Sequence, residues 1–352
     1  MSSTSCLAGA AVAAAPLPPW SPRQAHCRRL QAQDVDEHAQ AIGSWDLRYD
    51  QLGAGRFQAG FFELRLPGLQ VFAEHTRQAV RQRGSLGQGR LGAAFMRRGQ
   101  GEGSCNGQAF GHGEVLAWHD AELDLRTPDG CQLAGVVLEP DLLPSQGLAL
   151  PRLSQPLSGQ AAAVRRLHRL VLDSLVLARR LSHRADVPGG AVGRAAQWAD
   201  ALAVAQWRDD LVDACVAAVH RAPTVGDPLR AQRRAALVER ACARMLAQVE
   251  QQESISQVAL CQALGTSVRN LAYAFQTVLG LSPLAWLRVV RLGEARRTLR
   301  RMAAGQEAPQ SIYAVATRHG FWHLGRFAVE YRQQFGERPS DTLGRPARER
   351  IG

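Results

Sequence analysis

From Trp45 to about Leu138 the chain consists of short apolar runs separated by breaks that contain glycine. Examples are GRFQAGFFEL, GRLGAAFM and CQLAGVVLEP. Runs of this length with turn residues between them are typical of the strands of an all-β sandwich or barrel. The segment from Pro140 to Gln160 is rich in Pro, Ser and Gly, and it is predicted to be a linker.

The hydrophobic period changes to that of a helix between Ala161 and Ser182. Residues on one side recur at alternating steps of three and four: Leu167, Leu170, Ser174, Leu177 and Leu181. This spacing predicts an amphipathic helix with an a/d seam. Such a helix could pair with the same helix of a partner subunit in a dimer. Ordinary packing within the chain is the alternative, and two heptads are too few to exclude it.

The pattern is helical from Asp227 onward, and it contains an internal repeat. Ser256 aligns with Ser311, Cys261 with Ala316 and Gly265 with Gly320 at equal spacing. After one extra residue in the second copy, the remaining matches are Leu271 with Phe327, Phe275 with Tyr331, Gly280 with Gly336 and Pro283 with Pro339.

Each copy predicts two short helices joined by a tight turn. A serine N-cap opens the first helix, a small residue inside it permits close helix approach, and glycine ends it. A second helix with a buried apolar stripe follows. This is helix-turn-helix geometry, in which the second helix enters the DNA major groove. A pair of plain helical hairpins is the alternative.

A longer helix is predicted between the two copies. Ser282 as N-cap and Pro283 at the first helical position start it, and about 20 residues at 1.5 Å each span roughly 30 Å. Because one DNA turn is about 34 Å, such a rod would set two recognition helices into successive major grooves. Its arginines are candidates for phosphate contacts, although some are expected to pair with Glu294 and other acids: Arg288, Arg291, Arg296, Arg297, Arg300 and Arg301.

The distribution of charge favours a polyanion as the partner of this region. The formal net charge is +11, and every one of the 42 basic residues is arginine. Residues 230–352 hold 19 Arg against 9 acidic residues, whereas residues 1–229 hold 23 against 22. A basic domain attached to a neutral one therefore predicts a nucleic-acid partner on one side only.

The two copies, the joining phrase RVVRLGEARRTL and the closing phrase GFWHLGRFAVEYRQQFGERPS resemble the C-terminal DNA-binding domain of the AraC/XylS family of bacterial transcription regulators. The resemblance covers about residues 232 to 345. The β-rich part then resembles the cupin-like effector-binding domain of such regulators. Its phrase FELRLPGLQVFAEHTRQAVRQRG is similar to the subgroup that includes the ethanolamine-operon regulator.

The implied fold is multidomain: an N-terminal all-β cupin-like barrel, a helical connector, and a C-terminal all-α domain with two helix-turn-helix units joined by a long helix. The predicted limits are a disordered tail at 1–34, the effector-binding domain at 35–150, the connector at 160–226 and the DNA-binding domain at 230–345. The tail prediction rests on an Ala- and Pro-rich start that lacks the positive region of a signal peptide.

The predicted DNA-binding residues lie on the second helix of each copy. On the first copy they are the positions away from the buried stripe: Arg269, Asn270, Ala272, Tyr273 and Gln276. Arginine suits guanine, asparagine or glutamine suits adenine, and Ala272 can meet at most a thymine methyl. The resemblance assigns base-facing roles to Arg269, Ala272 and Tyr273.

On the second copy the resemblance implies base-facing positions at Leu324, Gly325, Arg326 and Val329. Only Arg326 among them has a hydrogen-bonding side chain, so this helix is predicted to carry less sequence information. His323 and Arg332 are predicted backbone contacts, and for His323 a capping or surface role is the alternative.

The chain offers no motif typical of an enzyme. His75, His112 and His119 are isolated, and nucleophile-elbow, Walker and dinucleotide motifs are absent from the sequence. Seven scattered cysteines without a C-x-x-C pair favour buried thiols over a zinc site or disulfides. Phe61, Phe62, Phe72, Phe95 and Trp118 are predicted to be core residues, or else to line a small-molecule pocket.

The sequence therefore predicts a non-enzymatic, cytoplasmic, nucleoid-associated regulator with no metal, cofactor or membrane segment. Its expected partners are double-stranded DNA, RNA polymerase, an unknown small-molecule effector and a second copy of the chain. A cupin-type enzyme with a nucleic-acid-binding domain and a protein-interaction module with basic helices are the alternatives. The effector, the operator and the sign of regulation are not encoded in any motif.

Overall fold

The computed structural model describes residues 26–143, 150–185, 201–251 and 256–344. The strands are β1 (His26–Ala32), β2 (Asp46–Gln51), β3 (Ala59–Leu66), β4 (Leu69–Thr76), β5 (Val80–Ser85), β6 (Leu91–Arg98), β7 (Gly103–Cys105), β8 (Gln108–Phe110), β9 (Val115–His119), β10 (Leu123–Thr127), β11 (Cys131–Leu138) and β12 (Leu153–Leu157). The helices are α1 (Val35–Ile42), α2 (Ala162–Ala185), α3 (Ala201–Arg221), α4 (Pro228–Glu250), α5 (Gln257–Leu264), α6 (Val268–Leu279), α7 (Pro283–Ala303), α8 (Ile312–Arg318), α9 (Leu324–Phe335) and α10 (Pro339–Leu343), with a 3-10 turn at Pro140–Leu142.

The strands form two antiparallel sheets. The larger sheet has the order β1-β3-β4-β11-β6-β9-β12, and the smaller has the order β2-β5-β10-β7-β8. An apolar core that includes Tyr49, Phe61 and Leu116 takes residues from both sheets. The predicted β-rich N-terminal region is thereby confirmed as a two-sheet structure, and its likeness to a cupin barrel stays a prediction.

The larger sheet is covered on both faces, which explains its almost continuous apolar runs. Successive side chains of a strand point to opposite faces. Phe61 accordingly joins the core shared with the smaller sheet, whereas Phe62 joins a second core shared with α2 and α3. Few positions of β3, β4 and β6 face water, so the period-2 alternation expected of a half-exposed sheet is weak.

Two sequence predictions near the ends of the β-rich region are wrong in part. Residues 26–32 fall in the predicted disordered tail, but they form β1 and pair with β3 along their whole length. The predicted linker contains β12, which pairs with β9 from Leu153 to Leu157. Both are edge strands held by backbone bonds to distant segments, and no local pattern marks such pairing. Residues 1–25 lie outside the described part.

The predicted helix at 161–182 is α2, and its seam packs largely within the chain. Leu167 and Ser174 are buried, and the Ser174 hydroxyl donates to the Leu170 carbonyl. Leu177 is 41% exposed, while the Leu181 side chain lies outside the described residues. Ordinary packing therefore accounts for the buried members of the seam, and dimerisation stays a prediction.

The C-terminal region is helical, as predicted, and has two cores. One core joins α4, α5, α6 and the first part of α7; it also takes in Leu52 from the β-rich region. The other joins the second part of α7 to α8 and α9. The helix α7 thus contributes to both. No helix in the described ranges is long and apolar enough to span a bilayer.

Candidate nucleic-acid interface

The helices α5 and α6 form the first predicted pair, and their ends are fixed by local hydrogen bonds. The Ser256 hydroxyl accepts from the Ala259 N–H, and the Ser267 hydroxyl accepts from the Asn270 N–H. Between them Gly265 has φ of 62°, the left-handed conformation that lets the chain turn directly after α5. Leu271 and Phe275 then bury one face of α6.

The helices α8 and α9 form the second pair. The Ser311 hydroxyl accepts from the Ala314 N–H, and Gly320 has φ of 76° in the turn. Phe327 and Tyr331 bury the inner face of α9. Phe321 packs against Phe327, with ring centroids 5.1 Å apart, so it fills the turn beside the helix.

The predicted reading residues are placed on the outer faces of α6 and α9. Ten of them are exposed: Arg269, Asn270, Tyr273, Gln276, His323, Leu324, Gly325, Arg326, Val329 and Arg332. Ala272 is half-buried. The structure thus groups these side chains into two exposed surfaces, which agrees with their expected position, while their contact with DNA stays a prediction.

Tyr273 on α6 has a neighbour that the sequence did not indicate. The guanidinium of Arg234 on α4 lies 5.3 Å from the centroid of the Tyr273 ring, within cation–π range. Arg234 also donates to the carbonyl of Gly107 at 2.9 Å, in the β7–β8 turn. A single arginine therefore contacts both the β-rich region and a predicted base-reading side chain. Three distant segments supply the contact, so no sequence motif could indicate it.

The two candidate polar residues at the start of α9 behave differently. Arg326 is 75% exposed and donates to Glu330 at 2.8 Å, one helical turn later. His323 occupies the N-cap position of α9, but its side chain makes no capping hydrogen bond. The capping alternative for His323 thus holds for its backbone position and not for its imidazole.

The helix α7 begins as predicted at Ser282 and Pro283 and contains 21 residues. At 1.5 Å per residue it is about 32 Å long. Arg291 binds the carbonyls of His319 and Gly320 in the second turn, and Arg301 pairs with Glu307. The helix therefore fastens the turn of the second pair as well as joining the two pairs.

A family model described as a helix-turn-helix domain matches residues 260–345. The chain is 40% identical over 97 residues to the probable thc operon regulatory protein of Rhodococcus erythropolis. These residues make up 28% of this chain and 28% of that protein. It is 40% identical over 90 residues to XylDLEGF operon transcriptional activator 2 of Pseudomonas putida, which is 26% of this chain and 55% of that protein.

A solved structure of a probable AraC family transcriptional regulator from Rhodopseudomonas palustris is 35% identical. The match covers 31% of this chain and 94% of that chain, with a TM-score of 0.27. The chain belongs to the AraC/XylS family. The matched segments span only about a quarter to a half of the curated relatives, so the family is shown by one part of the chain.

In this AraC/XylS family member, several α7 arginines predicted to contact phosphate are instead used inside the protein. Arg297 donates to Asp36, to Asp50 and to Glu294 at distances of 2.9–3.0 Å. Arg296 lies between Asp34 and Glu337. Arg300 pairs with Asp34 and Glu37. We call these residues the α7 clasp: Asp34, Asp36, Glu37, Asp50, Glu294, Arg296, Arg297, Arg300 and Glu337.

The phosphate prediction is therefore wrong for Arg296 and Arg297, whose side chains are only 8% and 16% exposed. Four acids of the α7 clasp come from α1, β2 and the residue before α1, so the β-rich region supplies the counter-charges. Arg288 is 51% exposed and lies 3.9 Å from Glu330, which leaves its predicted phosphate contact open.

The pKa values of the acids in the α7 clasp depend on two opposing effects, burial and the charge of the neighbouring arginines. Burial opposes ionisation of Asp34, but Arg296 and Arg300 hold its pKa below the usual value. Burial likewise opposes ionisation of Asp50, and Arg297 and Arg48 hold its pKa below the usual value. Burial prevails at Asp36, whose pKa is raised. Asp34 and Asp50 are therefore ionised at neutral pH and held by the charge of the arginines.

The candidate ligand residues of the β-rich region do not converge on one site. His75 lies 3.1 Å from the Cys131 carbonyl, His119 lies 3.2 Å from the Pro151 carbonyl, and His112 is exposed. The five aromatic side chains proposed for a pocket are buried in two different cores: Phe62 and Phe95 in one, Phe61, Phe72 and Trp118 in the other. They serve as core residues, which was the first of the two predicted roles.

A buried histidine that sequence reasoning missed lies in the same region. His38 Nε2 is 2.7 Å from Glu74 Oε1, and the Tyr49 hydroxyl donates to the same oxygen at 3.0 Å. Burial and the Glu74 charge raise the Tyr49 pKa well above its usual value. Among the described residues, no group of three or more His, Cys, Asp or Glu is placed to hold a metal ion.

Proposed function

We propose that the protein is a sequence-specific DNA-binding transcription regulator that places α6 and α9 in successive major grooves. The observation that carries this proposal is the pair of exposed helix faces joined by one helix of about 32 Å. This length is close to the roughly 34 Å of one DNA turn. The repeated capped pairs fit two helix-turn-helix units, and the family match supports the same function.

The two helices have different chemistry for reading bases. On α6, Arg269 suits guanine, and Asn270 and Gln276 suit adenine by bidentate hydrogen bonding. Asn270 also donates to the Thr266 hydroxyl at 2.8 Å, so it would have to turn before it binds a base. On α9, Arg326 is the reading residue with a hydrogen-bonding side chain. His323 and Arg332 would contact phosphates on either side of it.

We propose further that the β-rich region is a cupin-like domain that binds a small-molecule effector. The α7 clasp supports the coupling, because it joins acids of this region to the helix that joins both helix pairs. An effector that binds more tightly when the β-rich region is separated from α7 would shift the population away from the arrangement that the α7 clasp holds. The regulator would act as a homodimer in the cytoplasm, on nucleoid DNA.

Activation through contact with RNA polymerase is the proposed mode of regulation. The support is that the curated relatives from Pseudomonas putida are named as operon transcriptional activators. The comparisons give the alternative of a cupin-type enzyme no support, since the relatives are regulators. Metal analysis of the purified protein tests that alternative directly.

The proposal is tested by measuring binding of the full-length chain to random and to selected duplexes over a range of salt. If about six phosphates are contacted, affinity should fall on the order of a thousandfold between 50 and 200 mM salt. A flat salt dependence would refute the electrostatic part of the proposal. Failure to bind any duplex would favour the protein-interaction module.

Arg326→Ala is expected to reduce discrimination between selected and random DNA by about tenfold, because a lost bidentate contact costs about 1–3 kcal/mol. Glu330→Gln is the matched change, since it removes the acid that holds Arg326 without removing the reading group. Equal losses of Arg326→Ala on selected and random DNA would show that Arg326 contacts a phosphate.

A further inference from the structure

The exposed face of α9 carries a glycine and a valine where base-reading side chains are expected. With 3.6 residues per turn, Gly325 and Val329 lie one turn apart, about 40° from each other around the helix. Phe327 and Tyr331 occupy the opposite, buried face. Val329 is 57% exposed although it is apolar. We call Gly325 and Val329 the α9 strip; Arg326 and Arg332 lie on either side of it.

The corresponding positions of α6 are large and polar. The alignment of Leu271 with Phe327 places Arg269 opposite Gly325 and Tyr273 opposite Val329. Both α6 side chains are exposed, as the strip is. The two helices are therefore built alike inside and differently outside, so the difference does not arise from packing.

The fold of this chain gives no reason for glycine at position 325. A Cβ atom built there meets nothing within 4 Å, and its φ is not positive. By contrast, Gly320 and Gly336 have φ of 76° and 67° and are needed for their turns. Glycine inside a helix is less favourable than alanine. An alanine would fit position 325 and stabilise α9, so the folded chain itself does not require glycine there.

We infer that the α9 strip seats this helix close to the floor of the major groove, where Val329 contacts the 5-methyl group of a thymine. This inference rests on the proposed DNA-binding function. A glycine allows close approach of a helix backbone, and an apolar side chain in the major groove recognises the thymine methyl. Arg332 beside the strip supplies charge complementary to the phosphates that border the groove. The second half-site is thus read by close approach and a methyl contact, in addition to the hydrogen bonds of Arg326.

The test begins with duplexes that the full-length protein selects from a random pool. Each thymine of a selected duplex is replaced in turn by deoxyuridine, which removes the methyl group and leaves the hydrogen-bonding edge unchanged. Loss of one buried methyl contact is expected to weaken binding about fourfold. Val329→Ala should weaken binding to the thymine duplex by a similar factor and abolish the effect of deoxyuridine at one position. That non-additivity identifies the contact.

Gly325→Ala tests the close approach separately. We expect the variant to unfold about 1–3 °C higher than the wild type, since alanine favours the helix. It should nevertheless bind the selected duplex at least tenfold more weakly. Gly293→Ala is the matched control, because Gly293 also lies within a helix with no atom within 4 Å of a built Cβ. That variant should keep the wild-type affinity.

The outcomes separate this inference from the proposed function. If the pool yields no bound duplex, DNA binding itself is wrong. If duplexes are bound, but no deoxyuridine effect disappears in Val329→Ala, or Gly325→Ala binds as tightly as the wild type, the strip does not read thymine. Either of these two results would overturn the inference and leave the proposed DNA-binding function standing.

Discussion

Arg297→Met should strongly weaken the docking of the β-rich region on α7. Arg297 pairs with Asp36, Asp50 and Glu294 at 2.9–3.0 Å and is 16% exposed. At an effective dielectric constant of about 20, each pair gains about 5 kcal/mol before desolvation is subtracted. Removing one partner of a buried pair typically costs about 3–5 kcal/mol, because the remaining charges stay buried.

Arg301→Met is the matched control on the same helix. Arg301 is 43% exposed and pairs with Glu307, so its loss should cost about 1 kcal/mol or less. Hydrogen exchange measured on peptides from α1 and α7 gives the local free energy of opening, without assuming that the whole chain unfolds in one step. Equal protection in the two variants would refute the claim that Arg297 holds the docked arrangement.

The pH dependence provides a second check on the same variant. In the wild type the pKa of Asp50 and the pKa of Glu294 are lowered; burial opposes this, and Arg297 and Arg48 overcome it. Groups of this kind stabilise the folded state above their unfolded pKa of about 4, and the stability is lost as the pH falls. The raised pKa of Asp36 acts in the opposite direction and offsets part of this effect. The difference between wild type and Arg297→Met should therefore be largest near pH 7 and shrink as the pH falls below about 4. A difference that grows as the pH falls would contradict the assignment.

Two further predictions concern the packing of the β7–β8 turn on α4 and the reactivity of the buried Cys131 thiol. Gly107 has φ of 81°, and in Gly107→Ala the new methyl group would overlap the Ala231 carbonyl of α4. Gly130→Ala is the control, because Gly130 also has a positive φ, of 66°, but its new methyl group meets open space. Thermal unfolding should show that Gly107→Ala is destabilised by about 1–3 kcal/mol more than Gly130→Ala. Equal shifts would show that the β7–β8 turn does not press on α4. Burial raises the pKa of Cys131 to about 12, so iodoacetamide at pH 8 should leave this thiol unmodified, by mass spectrometry, until urea unfolds the protein.

The local signals in the sequence predicted the helical region well. Serine caps at Ser256, Ser282 and Ser311 act as expected, because a cap is decided by the next three residues. The same locality explains why the exposed positions of α6 and α9 follow from the 3.6-residue period. Capping, turning and burial of one face are all determined within about a dozen residues.

Contacts between distant segments could not be predicted in the same way. The pairing of β1 with β3 places Arg28 beside Glu63, and its strand sequence HCRRLQA has no apolar alternation. The acids that bind Arg297 lie up to 261 residues away along the chain. The sequence indicated that some α7 arginines would pair with acids, but Glu294 was the only partner that could be named, because it lies on the same helix.

The α7 clasp also imposes an order on how the protein is made. The chain is synthesised from its N-terminus, so Asp34, Asp36 and Asp50 leave the ribosome about 250 residues before the arginines that neutralise them. Until α7 emerges, the nascent β-rich region carries these carboxylates unneutralised by the clasp arginines, and they repel one another. The docked arrangement is accordingly available only once α7 has been made, and a product truncated before α7 would leave Asp34 and Asp36 without their arginine partners.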